Sequence, residues 1–339
     1  MMMAKTKWGV VYNADALSLD DMLHFAPLAE QAGADSIWTA EAWRDAFVPL
    51  TAMAATVRTV RVGTAIAQMA RPPVLTALSA LSLAEYTGGR FVLGVGTAPR
   101  DWNKGWHGFD VPHPVPRIRE YIECIRTAFT ATASNPVSYT GDYYQMRDYV
   151  RFLETPSTQI PIYLAGVNPL MIQLAGSHSD GLILGPFNGT KYLSKIVHPN
   201  LAKGLGRANR EKSSVEVCAM RICSVNSDVA RARDLARHGI AFYATFPYYD
   251  IVLSPLGFDA EVEAIRDSFN RRDIPAMFNA VTDDMVAALA LAGTPDDVRR
   301  RLGEFDGLAD SVVLYSPYFG VSREETRANH AAMLDAFSD

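Results

Sequence analysis

Short apolar runs alternate with helical patterns along the whole chain. The apolar runs have the length of buried strands, and between them apolar residues recur every three or four positions, as on one face of a helix. This alternation is typical of parallel strands joined by crossover helices. Eight runs predict strands: WGVVY (8–12), DSIWTA (35–40), VRVGTAIA (60–67), RFVLGVG (90–96), IPIYLA (160–165), DGLILG (180–185), VEVCAMRICSV (215–225) and DSVVLYS (310–316).

Several of the helices between these strands carry recognisable start signals. Ser18, followed by acidic residues, predicts the N-cap of the first helix. Thr294 followed by Pro295 predicts a second helix start, because proline suits the first helical position. Ser322 with Glu325 predicts a capping box at the start of the last helix.

Eight strands and their helices over 339 residues predict an α/β fold of the (β/α)8 TIM-barrel class with insertions, as one domain over 1–339. A doubly wound sheet is the alternative, which periodicity alone does not exclude. Two insertions interrupt the alternation. SYTGDYYQM (138–146) predicts a hairpin or ribbon. Both this segment and the long region 240–293 are expected near the active face or an oligomer interface.

Composition and charge narrow the range of possible partners and locations. The net charge is −5 and no long basic run is present, so nucleic acid is not an expected partner. The three cysteines have no metal-ligand spacing and neither have the histidines, so no metal site is predicted. No apolar segment reaches 18 residues, and the N-terminus has no small-residue cleavage site. We therefore expect a cytoplasmic protein without membrane contact.

The stretch GRFVLGVGTAPRDWNKGWHG (89–108) begins like a dinucleotide-binding turn. Gly94 and Gly96 match the first two glycines of G-x-G-x-x-G, but Pro99 stands at the sixth position, and the next helix is predicted only near Pro116. The stretch is better interpreted as the fourth barrel strand and a loop at the C-terminal face, where ligands bind. For the two glycines alone, relief of crowding in the barrel interior is an equal interpretation.

The same stretch, followed by PVPRIREYIECIR, resembles the fourth-strand region of the luciferase-like flavin and deazaflavin enzymes, particularly the actinobacterial coenzyme F420-dependent oxidoreductases. Four further segments resemble the family in the same order: ADSIWTAEAWRDAF, VRVGTAIAQMARPP, IPIYLAGVNPLMIQLAGSHSDGLIL and LAGTPDDVRRRLGEF. The resemblance implies a barrel that transfers a hydride between F420 and a small organic substrate. An FMN-dependent monooxygenase with a separate reductase, or a barrel without catalysis, are the alternatives.

The resemblance also implies roles for residues of the second and third strands. Glu41 matches an acidic residue near the cofactor ring, where it could orient the ring or relay a proton. Ala42 stands where several relatives have a proton-transferring histidine. Ala65 and Ile66 match a cis peptide bond behind the ring, although both could also be plain residues of the barrel core.

The fourth strand and its loop supply further residues of this kind. Thr97 and Ala98 match backbone-contact positions near the cofactor, and Trp102 or Asn103 matches an amide position of some relatives. Pro99 stands where the sugar dehydrogenases of the family have a glutamate, so a sugar-phosphate dehydrogenase is not predicted.

Gly166, Val167 and Asn168 in LAGVNP match the phosphate-side turn of the family. Independently of the resemblance, Asn168 can cap the helix that starts at Pro169, and free N–H groups near Gly166 and Val167 would face an anion. An ordinary capped helix without a ligand is the alternative.

The remaining site residues are aromatic. His107 is expected to border the ring, and an imidazole can donate a proton near neutral pH, although it could equally tie the loop to the barrel rim. Trp43 and Trp102 could wall an apolar substrate pocket, whereas Trp38 inside a strand is expected to be packing. Family members commonly form dimers, so a homodimer is expected. The substrate itself is not encoded in a readable way.

Overall fold

The computed structural model describes residues 6–12, 16–153 and 159–338. Twelve strands lie in this part of the chain, eight of them in the barrel and four in short additional pairings. They are β1 Lys7–Tyr12, β2 Ser36–Thr39, β3 Arg61–Thr64, β4 Ala67–Gln68, β5 Phe91–Gly96, β6 Val137–Thr140, β7 Gln145–Tyr149, β8 Ile162–Ala165, β9 Gly181–Leu184, β10 Glu216–Val225, β11 Ala290–Gly293 and β12 Ser311–Tyr315.

Helices connect these strands and surround them. Within the described ranges, none of the helices is both long and apolar enough to cross a membrane. The α-helices are α1 Leu19–Gln31, α2 Phe47–Ala54, α3 Pro73–Tyr86, α4 Arg100–Trp106, α5 Pro114–Phe129, α6 Pro169–His178, α7 Thr190–Tyr192, α8 His198–Arg207, α9 Val229–Ala244, α10 Asp250–Leu253, α11 Asp259–Asn270, α12 Ile274–Asn279, α13 Asp283–Leu289, α14 Pro295–Leu302 and α15 Arg323–Asp335. A π-helical segment, Leu193–Val197, joins α7 to α8, and four short 3-10 segments are Lys212–Ser214, Pro247–Tyr249, Ser254–Leu256 and Gly303–Phe305.

The barrel closes through eight parallel strands in the order β1, β2, β3, β5, β8, β9, β10 and β12. The last strand pairs with the first, Val312 opposite Trp8. The prediction of a (β/α)8 barrel is therefore confirmed, and the doubly wound alternative is excluded because the eight strands close into a ring. β6 and β7 form the antiparallel hairpin predicted around 138–146, and β11 pairs with the far end of β10.

The helix-start predictions hold, with one difference. Ser18 and Thr294 each form a reciprocal capping box with an aspartate three residues later. Ser322 accepts from the N–H of Glu325 as predicted, but the second half of that box was wrong. The Glu325 carboxylate accepts from the Ser322 hydroxyl at 3.1 Å and from Arg231 at 2.5 Å.

A short helix, α4, begins directly after β5, where the sequence predicted a loop up to Pro116. The seven residues of α4 are too few for an apolar stripe to show in the sequence. Pro99 at its N-cap has a φ of −60°, Asp101 lies in the first turn and Lys104 in the last, which suits the helix dipole. The dinucleotide interpretation is therefore excluded by the closed barrel and not by a late helix.

Two glycines of the barrel are required by close packing. A Cβ on Gly63 would lie 2.3 Å from the buried ring of Trp38, whose Nε1 donates to Ser36 Oγ at 2.8 Å. The interpretation of Trp38 as packing is confirmed. A Cβ on Gly94 would lie 1.9 Å from the carbonyl oxygen of Thr64. For Gly94, relief of crowding is thus the correct interpretation.

Candidate functional site

Three adjoining cavities cross the end of the barrel at which its parallel strands finish. The deep cleft, of about 420 Å³, lies between the loops after β5, β8 and β9. The aromatic chamber, of about 160 Å³, is central, and the polar mouth, of about 430 Å³, opens beside β2 and β4. The deep cleft and the chamber share Ala65, Ile66, Ala98, Pro99, Met220, Tyr243 and Tyr248. The chamber and the mouth share Glu41, Ala42, Trp43 and Gln68.

Every residue that the sequence assigned to the site lines one of these cavities. The deep cleft is lined by Ala65, Ile66, Thr97, Ala98, Gly166, Val167 and Asn168. The chamber is lined by Glu41, Trp43 and Trp102, and the polar mouth by Glu41, Trp43 and His107. The structure thus brings together residues that are far apart in the chain. Their roles toward a cofactor or substrate stay predictions.

The peptide bond between Ala65 and Ile66 is cis, as the resemblance implied. It interrupts the third barrel strand between β3 and β4, and both residues line the deep cleft and the chamber. Ala65 N–H donates to the carbonyl oxygen of Thr39 at 2.6 Å, and the Ile66 carbonyl oxygen accepts from Glu41 N–H at 3.0 Å. The bulge is therefore tied to the end of β2 on both sides.

Glu41 is held at both carboxylate oxygens. Its Oε2 accepts from the backbone N–H of Gln68 at 2.7 Å, and its Oε1 accepts from Arg71 Nη1 at 3.0 Å. Arg71 also pairs with Asp45 at 2.8 Å. Burial raises the pKa of Glu41 above its ordinary value, although the Gln68 N–H and the Arg71 charge act in the opposite direction.

Gln68 and Arg71 were missed from the sequence. Gln68 is buried; its Nε2 donates to the Glu41 carbonyl oxygen at 2.5 Å, and its Oε1 has no hydrogen-bond partner among the residues that the structure describes. The available signal was a single amide in the apolar run TAIAQMA, directly after the predicted cis bond. A buried amide is costly unless it is hydrogen-bonded, so its presence inside a strand pointed to a specific partner.

The loop after β5 presents backbone to the deep cleft. Ala98 has a φ of +56°, a left-handed conformation uncommon for a residue with a side chain. Asn103 is buried, and its Nδ2 donates to the carbonyl oxygen of Thr97 at 2.7 Å. Of the two residues that matched the amide position, Trp102 lines the chamber. Asn103 does not line it but stabilises the loop through its bond to Thr97.

The turn after β8 has the predicted cap. Asn168 Oδ1 accepts from Met171 N–H at 3.0 Å, and α6 starts at Pro169. The expectation of a free N–H at Gly166 was wrong, because this group donates to the carbonyl oxygen of Ile183 within the sheet at 3.0 Å. Opposite this turn, the cationic side chain in the lining of the deep cleft is Arg100, which makes a two-pronged pair with Asp110.

Aromatic side chains form a large part of the chamber wall. Trp43 meets Trp102 edge-on at 5.2 Å between ring centroids, and Trp102 stacks on Trp106 at 4.4 Å. The aromatic lining residues are Trp43, Trp102, Phe242, Tyr243, Phe246, Tyr248, Tyr315 and Tyr318. Four of these lie in AFYATFPYY (241–249), whose density of rings was an unused signal in the inserted region. This part of the inserted region therefore lies at the end of the barrel where its parallel strands finish, one of the two places expected for it.

The comparisons with known proteins decide the family. The family model described as Luciferase-like monooxygenase matches residues 1–311. The chain belongs to the luciferase-like monooxygenase family. A 5,10-methylenetetrahydromethanopterin reductase of Methanolobus tindarius is 29% identical over 308 residues, which cover 89% of this chain and 91% of that one. An F420-dependent glucose-6-phosphate dehydrogenase of Beutenbergia cavernae is 28% identical over 343 residues, covering 98% and 95%.

Solved structures agree on the fold of this luciferase-like chain. The coenzyme F420-dependent tetrahydromethanopterin reductase of Methanopyrus kandleri superposes with a TM-score of 0.82 at 22% identity, covering 98% of this chain and 100% of that one. A type II Baeyer–Villiger monooxygenase from Pseudomonas putida in complex with FMN superposes with a TM-score of 0.70 at 16% identity, covering 99% and 97%. The luciferase-like barrel is therefore shared by deazaflavin and flavin proteins.

Proposed function

We propose that the protein is an oxidoreductase that transfers a hydride between coenzyme F420 and a small organic substrate. The relatives named above that are 28–29% identical are F420-dependent or methanopterin-linked reductases and dehydrogenases. The observation that carries the proposal is the continuity of the cavities. A deep cleft that starts at a helix N-terminus runs past an apolar bulge and opens into a separate chamber.

The residues of the deep cleft fit an elongated cofactor with an anionic end and a flat ring. The first turn of α6 carries partial positive charge and favours phosphate. Arg100 lies in the same lining and would share its charge between Asp110 and a phosphate. Ala65, Ile66 and Ala98 offer a smooth apolar surface at the other end. Gly96 leaves room there, because a Cβ on it would lie 2.4 Å from Ile66 Cδ1.

When bound, the deazaflavin supplies a carbon that donates or accepts a hydride. The protein's contribution is then to bind, orient and shield. Asn168 and Arg100 would hold the anionic end, and Ala65 with Ile66 would support the ring. Glu41 would fix its polar edge, because its carboxylate is itself immobilised by Gln68 and Arg71.

Proton transfer would be carried by groups near the chamber. Glu41 has a raised pKa in the chamber wall, and His107 lies at the polar mouth. A carboxyl group with a raised pKa is better able to hold and release a proton near neutral pH. The rings of Trp43 and Trp102 would exclude water from the reacting atoms.

Cofactor titration tests the proposal. The purified protein is titrated with F420 and with FMN, and the quenching of tryptophan fluorescence is followed. We expect F420 to bind at least about tenfold more tightly, a difference of about 1.4 kcal/mol. Tighter binding of FMN would instead support a monooxygenase that receives reduced FMN from a separate reductase. Binding of neither cofactor would indicate a barrel without catalysis.

A further inference from the structure

The wall of the aromatic chamber is rich in aromatic side chains and contains one charged one among the described residues. Eight of its eighteen lining residues are aromatic, and it borders the cis bulge at Ala65 and Ile66, where the deep cleft ends. A substrate that meets a ring bound in the deep cleft at this bulge would therefore occupy the chamber. Its wall would then contact the substrate.

The rings come from separate elements and support one another. Trp43 follows β2, Trp102 lies on α4, Phe246 follows α9 and Tyr318 follows β12. Trp102 meets Phe246 edge-on at 6.1 Å, and Trp43 meets Tyr318 edge-on at 6.4 Å. Edge-to-face pairs of this kind are favourable beyond simple area burial. The wall is therefore formed before any substrate arrives.

The negative charge of Glu41 in the wall already has partners within the protein. Glu41 is the one charged side chain among the described residues that line the chamber, and Gln68 and Arg71 occupy both its oxygens. Within the described part of the chain, no lysine or arginine belongs to that lining. A phosphate or carboxylate placed here would lose its hydration without gaining a counter-charge, and it would also meet the Glu41 carboxylate.

The uncharged polar groups that the wall offers are the Gln68 amide, the indole N–H groups of Trp43 and Trp102, and tyrosine hydroxyls. Tyr243 donates from its hydroxyl to the hydroxyl of Tyr315 at 2.8 Å, and both residues line the chamber. Such hydroxyls match a carbonyl or alcohol oxygen on an otherwise apolar molecule. They are a poor match for a fully ionised group.

We propose that the chamber selects an uncharged, mainly apolar, ring-containing substrate with a carbonyl or hydroxyl group, and that it rejects phosphorylated and carboxylated substrates. The claim that the enzyme turns over such substrates rests on the proposed function. The claim that the chamber binds them rests only on the composition of the chamber. Turnover and binding can therefore be tested separately.

The test uses two ketones that differ in one charge, 4-phenylcyclohexanone and 4-(4-oxocyclohexyl)benzoate. Binding to the full-length protein is measured by calorimetry at pH 7.5, with and without saturating F420. We expect the neutral ketone to bind at least about tenfold more tightly, since an uncompensated buried charge is costly. Equal or tighter binding of the benzoate, or no binding of the neutral ketone up to its solubility limit, would overturn the proposal.

A charge introduced into the wall should reverse the preference. Phe246→Arg is expected to improve the benzoate's affinity relative to the neutral ketone by about tenfold, whereas Phe246→Leu keeps the original preference. If Phe246→Arg fails to fold by circular dichroism, Phe242→Arg takes its place, because Phe242 lines the same chamber. A folded arginine variant with an unchanged preference would contradict a wall that selects by charge.

The outcomes separate this inference from the proposed function. A protein that prefers the neutral ketone but does not bind F420 would refute the hydride-transfer proposal and leave the chamber's selectivity standing. A protein that binds F420 but shows no preference between the ketones would refute the chamber's selectivity alone.

Discussion

Arg71 donates to Glu41 at 3.0 Å within the wall between the aromatic chamber and the polar mouth. The pair is only partly screened from solvent, and Arg71 divides its charge between Glu41 and Asp45. Burial outweighs these partners, so the pKa of Glu41 is raised. Glu41 is thus maintained at a cost to stability, as expected of a residue placed for function.

The stability of the Glu41→Gln variant relative to the wild type should rise as the pH rises. In the unfolded chain Glu41 ionises at its ordinary pKa, and in the folded protein it ionises at a higher one. The wild type is therefore fully stable below the unfolded pKa and loses stability as the pH rises through the folded pKa. Glutamine does not ionise. Melting temperatures between pH 4 and 8 should show a variant-minus-wild-type difference that grows with pH.

The same variant should bind F420 at least about fivefold more weakly at pH 7.5, by loss of a charged hydrogen bond. The loss is measured by fluorescence titration of protein that melts cooperatively. Unchanged F420 affinity would remove Glu41 from the cofactor site, and a melting difference that falls with pH would contradict the raised pKa.

Glu30→Gln should show the opposite pH dependence. Glu30 Oε1 accepts from the backbone N–H groups of Thr59 at 2.5 Å and Val60 at 3.0 Å, and Arg58 N–H also donates to the carboxylate. Burial acts to raise the pKa of Glu30, but these bonds outweigh it and lower the pKa to about 2. The stabilisation is present above pH 4.5 and is lost as the pH falls through about 2.

At pH 7 the Glu30→Gln variant is expected to lose about 1–3 kcal/mol of unfolding free energy, because glutamine is a weaker acceptor than a carboxylate. Urea unfolding at pH 7 and at pH 3 measures the effect, and the loss should be smaller at pH 3. An equal loss at both pH values would show that the carboxylate charge is not the stabilising element.

Gly96→Ala tests whether Gly96 is needed to leave space in the deep cleft or to pack the barrel strands. Its Cβ would project toward Ile66 Cδ1, which is the flexible end of a side chain and can move into the deep cleft. We expect F420 affinity to fall about tenfold with little loss of stability. Gly94→Ala is the matched comparison, because its Cβ would meet backbone at Thr64 and should destabilise the barrel instead. Reversed effects would contradict this division.

Much of the fold was accessible from the sequence because it depends on local patterns. Each of the eight barrel strands is a buried apolar run, and Ser18 and Thr294 form the predicted caps through bonds spanning three residues. The helix α4 escaped detection because two turns carry no periodicity. At Ser322 only half of the predicted capping box forms, because the Glu325 carboxylate pairs with Arg231, which is distant in the sequence.

Most residues of the site were accessible only through the family resemblance, whereas the Asn168 cap also followed from its own chemistry. Glu41, the Ala65–Ile66 bond and Asn168 could be matched to motifs, and all lie in one set of cavities. Arg71 could not be foreseen as the partner of Glu41, because their contact spans 30 residues and depends on how the bulge after β3 turns. The aromatic chamber likewise combines loops from four places in the chain, and only the closed barrel brings them together.

The helices α6 and α8 cross at a pair of glycines, and this crossing should decide the stability of the wall that carries the turn after β8. A Cβ on Gly204 would lie 2.0 Å from the carbonyl oxygen of Gln173 on α6, and no flexible side chain is there to yield. Gly204→Ala should therefore cost about 1–3 kcal/mol of unfolding free energy and weaken F420 binding.

Gly206→Ala is the matched control on the same helix. A Cβ on Gly206 would have nothing within 4 Å, so the substitution should stabilise the protein by about 0.5–1 kcal/mol. Urea unfolding of both variants measures the difference. Equal effects of the two substitutions would show that helix propensity, and not the close crossing, governs this position.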